Sequence, residues 1–201
     1  MLKLSLGDPQ IRRAKTIVAE GDISVARIVS TASHLYLMGV KGGPSEIRIY
    51  DKNGAPRGNL PIAANSAVYR VMRYQAESIL FQNASYVHPE AWYRFDPASR
   101  MVSPTGLRSA AATDYSDIVV SREFAVSRDG TKIPISILRK RGTDLDGKNP
   151  TLLTGYGGYG VSLPPFFDPT PRPLFDRGVV YAVANLRGGG ELERHGIARA
   201  A

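Results

Sequence analysis

The chain has 201 residues, 43% of them hydrophobic and 22% charged, with a formal net charge of +8. That length allows one or two domains of ordinary globular composition. The absence of cysteine excludes disulfides, zinc–cysteine sites and thiol catalysis.

The N-terminus, Met1-Leu2-Lys3-Leu4-Ser5-Leu6-Gly7-Asp8-Pro9, has no sustained apolar h-region, so it does not read as a signal peptide. It reads instead like the middle of a folded domain, and it leaves the compartment open between cytoplasm and periplasm. No run of 18 apolar residues occurs, so no membrane span is expected. Short β-branched or aromatic segments at Ile23–Thr31, His34–Val40 and Glu46–Asp51 are predicted strands, separated by turn residues. A second set follows at Ala67–Tyr74, Ser78–Gln82 and Ala91–Asp96. The two sets are offset almost constantly. Tyr50-Asp51 matches Phe95-Asp96 at a spacing of 45, and Leu35-Tyr36-Leu37 matches Ile79-Leu80-Phe81 at 44. A period of roughly 40–45 residues with several strands per unit is the pattern of β-propeller blades; a generic meander of hairpins is the plainer alternative.

Residues 100–117 carry Pro104, Gly106 and the small-residue run Ser109-Ala110-Ala111-Ala112-Thr113, and are expected to form a linker. Beyond it, Ile118–Val126 and Lys132–Leu138 flank Asp129-Gly130, a strong hairpin signal. Arg139-Lys140-Arg141 is the one tight basic cluster. It is expected on a solvated strand end or loop, and the other cations are dispersed, which argues against a nucleic-acid partner. Thr151–Tyr156 and Val179–Asn185 are near-continuous apolar runs, expected as buried parallel strands. Between them Pro164, Pro165, Pro169, Pro171 and Pro173 forbid an ordinary helix; only residues 173–177 could make a short helical turn.

Each apolar run leads into glycines: Gly155-Tyr156-Gly157-Gly158-Tyr159-Gly160 after the first, Arg187-Gly188-Gly189-Gly190-Glu191 after the second. The first formally matches Gly-x-Gly-x-x-Gly. A dinucleotide site needs a helix to start there so that its amides hold the pyrophosphate. The next residues are Val161-Ser162-Leu163-Pro164-Pro165, so no nucleotide cofactor is expected, and no His-Glu-x-x-His or other metal spacing is present. His34 and His88 fall in the strand-rich half, where a structural histidine is the default.

The stretch from Ala182-Val183-Ala184-Asn185-Leu186-Arg187 to Gly190-Glu191, with Gly155-Tyr156-Gly157-Gly158 and the Ser127–Pro134 hairpin, resembles the opening of the catalytic domain of the prolyl oligopeptidase family of serine peptidases. The resemblance implies a mixed fold: a partial, all-β propeller followed by the first strands of an α/β-hydrolase domain. Residues 1–115 would be C-terminal propeller blades, and residues 116–201 the start of the hydrolase domain. It implies a peptidase acting on short proline-containing peptides, without cofactor or metal. Tyr156 takes the position of the family's oxyanion-hole donor. Tyr159 takes the position of an aromatic wall of the proline pocket, where the family usually has phenylalanine; the added hydroxyl weakens a strict proline preference. For Arg187 and Glu191, a buried pair shaping the loop and contact with substrate stand as equal alternatives. No serine lies in Gly-x-Ser-x-Gly, the turn that displays an α/β-hydrolase nucleophile. The triad is therefore expected beyond Ala201, and this chain alone is expected to be inactive, with an exposed strand edge prone to aggregation. The last residues depart from the family pattern, which makes His195 a poor candidate for a role. A non-enzymatic β-rich binding module is the competing class.

Overall fold

The computed structural model describes residues 1–111 and 113–190. A short ladder of β1 (Leu2–Lys3) with β2 (Lys15–Thr16) precedes two four-stranded antiparallel sheets. The first contains β3 (Ser24–Ser30), β4 (His34–Val40), β5 (Ser45–Asp51) and β6 (Pro56–Asn59). The second contains β7 (Ser66–Arg73), β8 (Ile79–Ser85), β9 (Ala91–Asp96) and β10 (Met101–Arg108). In both, the strands pair in chain order, the up-and-down meander of a propeller blade. The repeat is structural as well as numerical. Leu35 pairs with Tyr50 and Ile79 with Phe95, so the spacings of 44 and 45 join equivalent positions. Both third strands end in an aspartate that folds the next turn. The Asp51 carboxylate accepts from the Asn53 and Ala55 amides at 2.9 and 3.0 Å, and that of Asp96 from the Ala98 amide at 2.9 Å.

Alternation explains how the blades face one another. Ile47 and Ile49 on β5 and Ile79 and Phe81 on β8 point to one face and are buried, because successive side chains of a strand leave opposite faces. With Tyr36, Val71 and Phe95 they fill a single apolar seam between the sheets, and Tyr36 meets Phe95 edge-on at 6.3 Å. Burying each such side chain contributes roughly 1.5–3 kcal/mol. Polar contacts clasp the rims of the seam. Arg100 donates to the carbonyls of Arg57 and Asn59 at 2.9 and 3.1 Å. Glu77, in the turn after β7, accepts from the Thr31 hydroxyl at 2.6 Å and the Ser33 amide at 3.0 Å, and faces His34 Nδ1 at 3.3 Å.

Residues 101–108 are the fourth strand of the second blade rather than linker, which corrects the expectation for 100–117. The equivalent strand β6 also went unforeseen. Both lie at sheet edges, where proline and glycine are tolerated because one side of the strand needs no partner. Pro56, Gly58, Pro104 and Gly106 therefore disguise strands as loops.

The third sheet is mixed. The hairpin of β11 (Ile118–Val126) and β12 (Lys132–Lys140) turns at Gly130, whose φ is +82°. β14 (Val180–Asn185) joins β12 antiparallel, and β13 (Thr151–Tyr156) joins β14 parallel, giving the order β11-β12-β14-β13. The crossover between the parallel strands contains one turn of helix, α1 (Arg172–Phe175), within the prolines. The two apolar runs differ in burial. β14, central in the sheet, is almost wholly buried, whereas β13 is an edge strand with Leu152 and Leu153 open to solvent. The expected burial of β13 is thus corrected; the parallel pairing is present, but no layer covers that edge among the described residues. A second core of Tyr115, Ile118, Leu138, Phe175 and Val183 also takes in Tyr86 from the second blade. The guanidinium of Arg172 spans both Asp117 oxygens at 2.6 and 3.0 Å and reaches Asp176 at 2.8 Å. Lys140, from the basic cluster, reaches Asp176 at 3.2 Å, so this cation serves a local ion network.

The clasp at Glu77 carries a pH dependence. The Thr31 hydroxyl first, and then the Ser33 amide and His34, hold its carboxyl down at about 2 against an ordinary 4.5. A depressed folded-state value stabilises the fold above the unfolded value, and that stability is lost as pH falls through the folded one. Urea unfolding of the wild type and Glu77→Gln is expected to differ most above about pH 5 and to converge as the pH approaches 2. A constant difference across that window would remove ionised Glu77 as the cause.

Candidate functional site

The carboxyl ends of adjacent parallel strands are where an α/β sheet offers backbone to a ligand. Here those ends are Tyr156 and Asn185, paired across the ladder. Each strand runs directly into its glycine loop, and the two loops interlock. The Gly160 amide donates to the Gly188 carbonyl at 2.8 Å, and Gly160 and Gly189 form a parallel bridge. Only glycine permits this approach. A Cβ on Gly157 would lie 2.5 Å from the Arg187 carbonyl oxygen and 2.8 Å from Leu186 Cβ; one on Gly190 would lie 2.8 Å from the Gly160 carbonyl oxygen. The two carbonyl oxygens belong to backbone that cannot swing aside.

Tyr156 is exposed, and its ring lies over Gly158. A Cβ at Gly158 would sit 3.0 Å from the phenol oxygen and 3.2 Å from Cζ. The missing side chain of Gly158 therefore leaves room for the phenol. Tyr159, three residues on, occupies the left-handed region at φ +57° and is 99% exposed. The structure thus brings the two tyrosines to one loop and sends them in different directions: the phenol of Tyr156 folds back over the loop, and Tyr159 projects into solvent.

Arg187 bonds to the Asp129 carboxylate in the β11–β12 turn. The Asp129 carboxyl is held below its ordinary value, first by the Thr131 amide and also by Arg187. The glycine loop is in this way tied back to the first hairpin of its own sheet. Glu191 and His195 lie outside the described residues. His34 faces Glu77, and His88 Nδ1 lies 3.2 Å from the Ser85 hydroxyl within a single turn.

Sequence reasoning missed the groups behind the rim. Arg122 on β11 donates to the Ser136 hydroxyl at 3.0 Å and to Asn185 Oδ1 at 3.4 Å, while Asn185 Nδ2 donates to the Leu163 carbonyl at 3.0 Å. Gly43, in the β4–β5 turn of the first blade, comes so close that a Cβ there would lie 2.5 Å from Asn185 Oδ1 and 3.1 Å from Arg122 Nη2. The first blade is thus seated against the carboxyl end of β14. A polar residue ending an otherwise apolar strand was the one available signal for Asn185; nothing in the sequence pattern marked Arg122 or Gly43. Among the described residues, no group of three or more His, Cys, Asp or Glu side chains is placed to hold a metal. Nor, among the described residues, is any helix long and apolar enough to cross a membrane.

Residues 1–106 match the family described as prolyl oligopeptidase, N-terminal beta-propeller domain. The chain is 30% identical over 192 residues to a prolyl endopeptidase of Elizabethkingia miricola, covering 95% of this chain and 27% of that protein. It is 48% identical over 82 residues to dipeptidyl aminopeptidase BI of Pseudoxanthomonas mexicana, covering 40% of this chain and 11% of that one. Among solved structures, it superposes with a TM-score of 0.86 and 27% identity on a prolyl endopeptidase analysed for inter-domain dynamics, covering 99% of this chain and 30% of the other. Oligopeptidase B from Leishmania major gives a TM-score of 0.80 at 25% identity, covering 97% and 29%. The chain therefore spans less than a third of the length of these relatives.

The interlock makes a local prediction. Gly157→Ala is expected to force the two loops apart and to cost about 1–3 kcal/mol, as overpacking does. Gly106→Ala, where a Cβ meets nothing within 4 Å, is expected to leave stability nearly unchanged. Thermal melts of the two variants check this; equal melting temperatures would show that the loops are not held in contact.

Proposed function

Because the chain belongs to the prolyl oligopeptidase family, we propose that it forms part of a serine peptidase that cleaves short peptides after proline. Residues 1–115 are blades of the propeller that restricts access to small peptides, and residues 116–201 begin the α/β-hydrolase domain. The parallel pair β13 and β14, with its crossover and its glycine loops at the carboxyl ends, supports the second assignment.

The observation that carries the chemistry is the position of Tyr156. Its phenol sits at the end of β13, beside the interlocked loops and over Gly158. In acyl transfer a serine attacks the scissile carbonyl, a histidine takes its proton, and the carbonyl oxygen becomes an oxyanion. A donor already oriented toward that oxygen stabilises the tetrahedral state without reorganising at the moment of reaction. Tyr156 is that donor in this reading. Tyr159, projecting from the same loop, supplies an aromatic surface for the substrate, and its hydroxyl relaxes the preference for proline. Arg187, bound to Asp129, shapes the rim instead of touching substrate. The nucleophile, acid and base are not among these 201 residues, since no Gly-x-Ser-x-Gly occurs. The reaction as read here needs no metal or cofactor.

The purified 201-residue chain is expected to leave a chromogenic peptide with proline before the scissile bond uncleaved. In a longer peptidase chain that carries these residues together with a Gly-x-Ser-x-Gly serine, Tyr156→Phe is expected to lower kcat about 10²–10³-fold, with KM little changed. An unchanged kcat would remove Tyr156 from the oxyanion site. Hydrolysis by the 201-residue chain that Tyr156→Phe abolishes would overturn the assignment of the triad to residues outside it.

A further inference from the structure

The proline-rich segment that follows the first glycine loop joins the blades to the rim. Residues 162–168 lie outside every helix and strand. Pro164 and Pro165 fix their own φ angles and contribute no amide donor, so other groups must hold the segment. Three side chains do so, each from a different part of the fold. Asn185 of β14 donates to the Leu163 carbonyl at 3.0 Å. Tyr69 of β7, in the second blade, donates its phenol proton to the Pro165 carbonyl at 2.7 Å. Tyr115, at the entry to β11, donates to the Asp168 carbonyl at 2.8 Å. Pro165 is fully buried and Phe167 packs against Tyr115. The segment is therefore a strut wedged between the second blade and the mixed sheet, fastened at both.

The N-terminal end of this strut is the rim itself. Val161 donates to the Gly158 carbonyl at 3.0 Å, and Gly160 to Gly188 at 2.8 Å. Only four residues separate Gly160 from Pro165; Pro164 is one of them, and Leu163 is held by Asn185. A displacement at Pro165 thus has a short, partly held path to the glycine loop.

We propose that Tyr69 is a positioning residue: through its hydrogen bond to the Pro165 carbonyl, the second blade sets the geometry of the glycine rim that holds Tyr156. The functional meaning rests on the peptidase reading above, but the mechanical coupling does not. Tyr69 as a residue is about a third exposed, yet its hydroxyl end is turned inward against the strut. Burial pushes that hydroxyl up to about 12, so it remains a donor throughout the neutral range. Met72, on the same strand, is exposed.

Hydrogen exchange of the 201-residue chain, followed by NMR, tests the coupling without any catalytic readout. The Gly160 and Val161 amides report on the rim, and the Gly54 amide, bonded to the Asp51 carbonyl at 3.0 Å in the β5–β6 turn of the first blade, serves as the reference. Tyr69→Phe removes one hydroxyl and keeps the ring. It is expected to speed exchange at Gly160 and Val161 roughly 3- to 10-fold, the loss of one hydrogen bond of ordinary net strength, and to leave Gly54 unchanged. Met72→Ala, on the same strand as Tyr69, is expected to leave all three unchanged. Unaltered exchange at Gly160 and Val161 in Tyr69→Phe would overturn the proposal, as would equal acceleration at Gly54, which would mark a merely global loss of stability. Neither result bears on the oxyanion role of Tyr156, so the two readings fail separately.

Discussion

The close approach of two backbone loops, Gly157 against Arg187 and Gly190 against Gly160, fixes the position of the other groups at the carboxyl end of the mixed sheet. Parallel strands hold their neighbours at a set spacing, but loops leaving those strands normally diverge to make room for side chains. Here glycine removes the side chains at the points of contact, and the loops continue the pairing of β13 and β14 beyond the last strand residues. The ring of Tyr156 rests over Gly158, where the absent side chain leaves room for it.

That rim is tied to the rest of the molecule in three directions, and each tie uses a different kind of force. Arg187 joins it to the β11–β12 turn through an ion pair with Asp129. Asn185, behind the loops, joins β14 to Arg122, to Leu163 and, by close contact, to Gly43 of the first blade. The proline strut joins it to Tyr69 of the second blade. The exposed ion pair contributes least, since such pairs are typically worth 1 kcal/mol or less. The contacts at Asn185 contribute more, because its buried amide cannot lose partners without cost. Both blades therefore touch the same small region from outside the sheet that builds it. The apolar seam between the blades adds to the same effect, because it prevents either blade from moving without the other.

The reach of the sequence differed between these layers for physical reasons. The blade repeat was legible because alternation and an aspartate-initiated turn recur at a fixed spacing, and the paired positions Leu35–Tyr50 and Ile79–Phe95 confirm that the spacing joins equivalent residues. The hairpin at Asp129-Gly130 was legible because a left-handed turn demands glycine. Fourth strands β6 and β10 were not, because an edge strand can keep proline and glycine that a central strand would exclude. Burial of β13 was misjudged because composition alone cannot separate the central strand of a sheet from its edge; Thr151–Tyr156 and Val180–Asn185 are similarly apolar and sit in adjacent strands with opposite exposure. Glycines in the rim were visible as a cluster, but the reason for them was not, since close approach is a relation between two loops 30 residues apart. Arg122 and Gly43 were silent for the same reason.

The charge distribution completes the physical picture. A net charge of +8 suggests a polyanion partner only if the cations form a surface of their own. In this fold several are spent on carboxylates and carbonyls that hold elements together. Arg172 and Lys140 bind Asp117 and Asp176 at the entry to the mixed sheet, Arg48 binds Glu46 and Asp22 in the first blade, Arg187 binds Asp129 at the rim, and Arg100 binds the carbonyls of β6 across the seam. These cations bridge segments that hydrophobic packing alone leaves loosely oriented: linker to helix, loop to hairpin, blade to blade. Their joint effect is directional. Apolar burial brings blades and sheet together, and the charged clasps decide how they are turned relative to one another, so that the strut from Tyr69 meets the rim at Gly160 in one orientation.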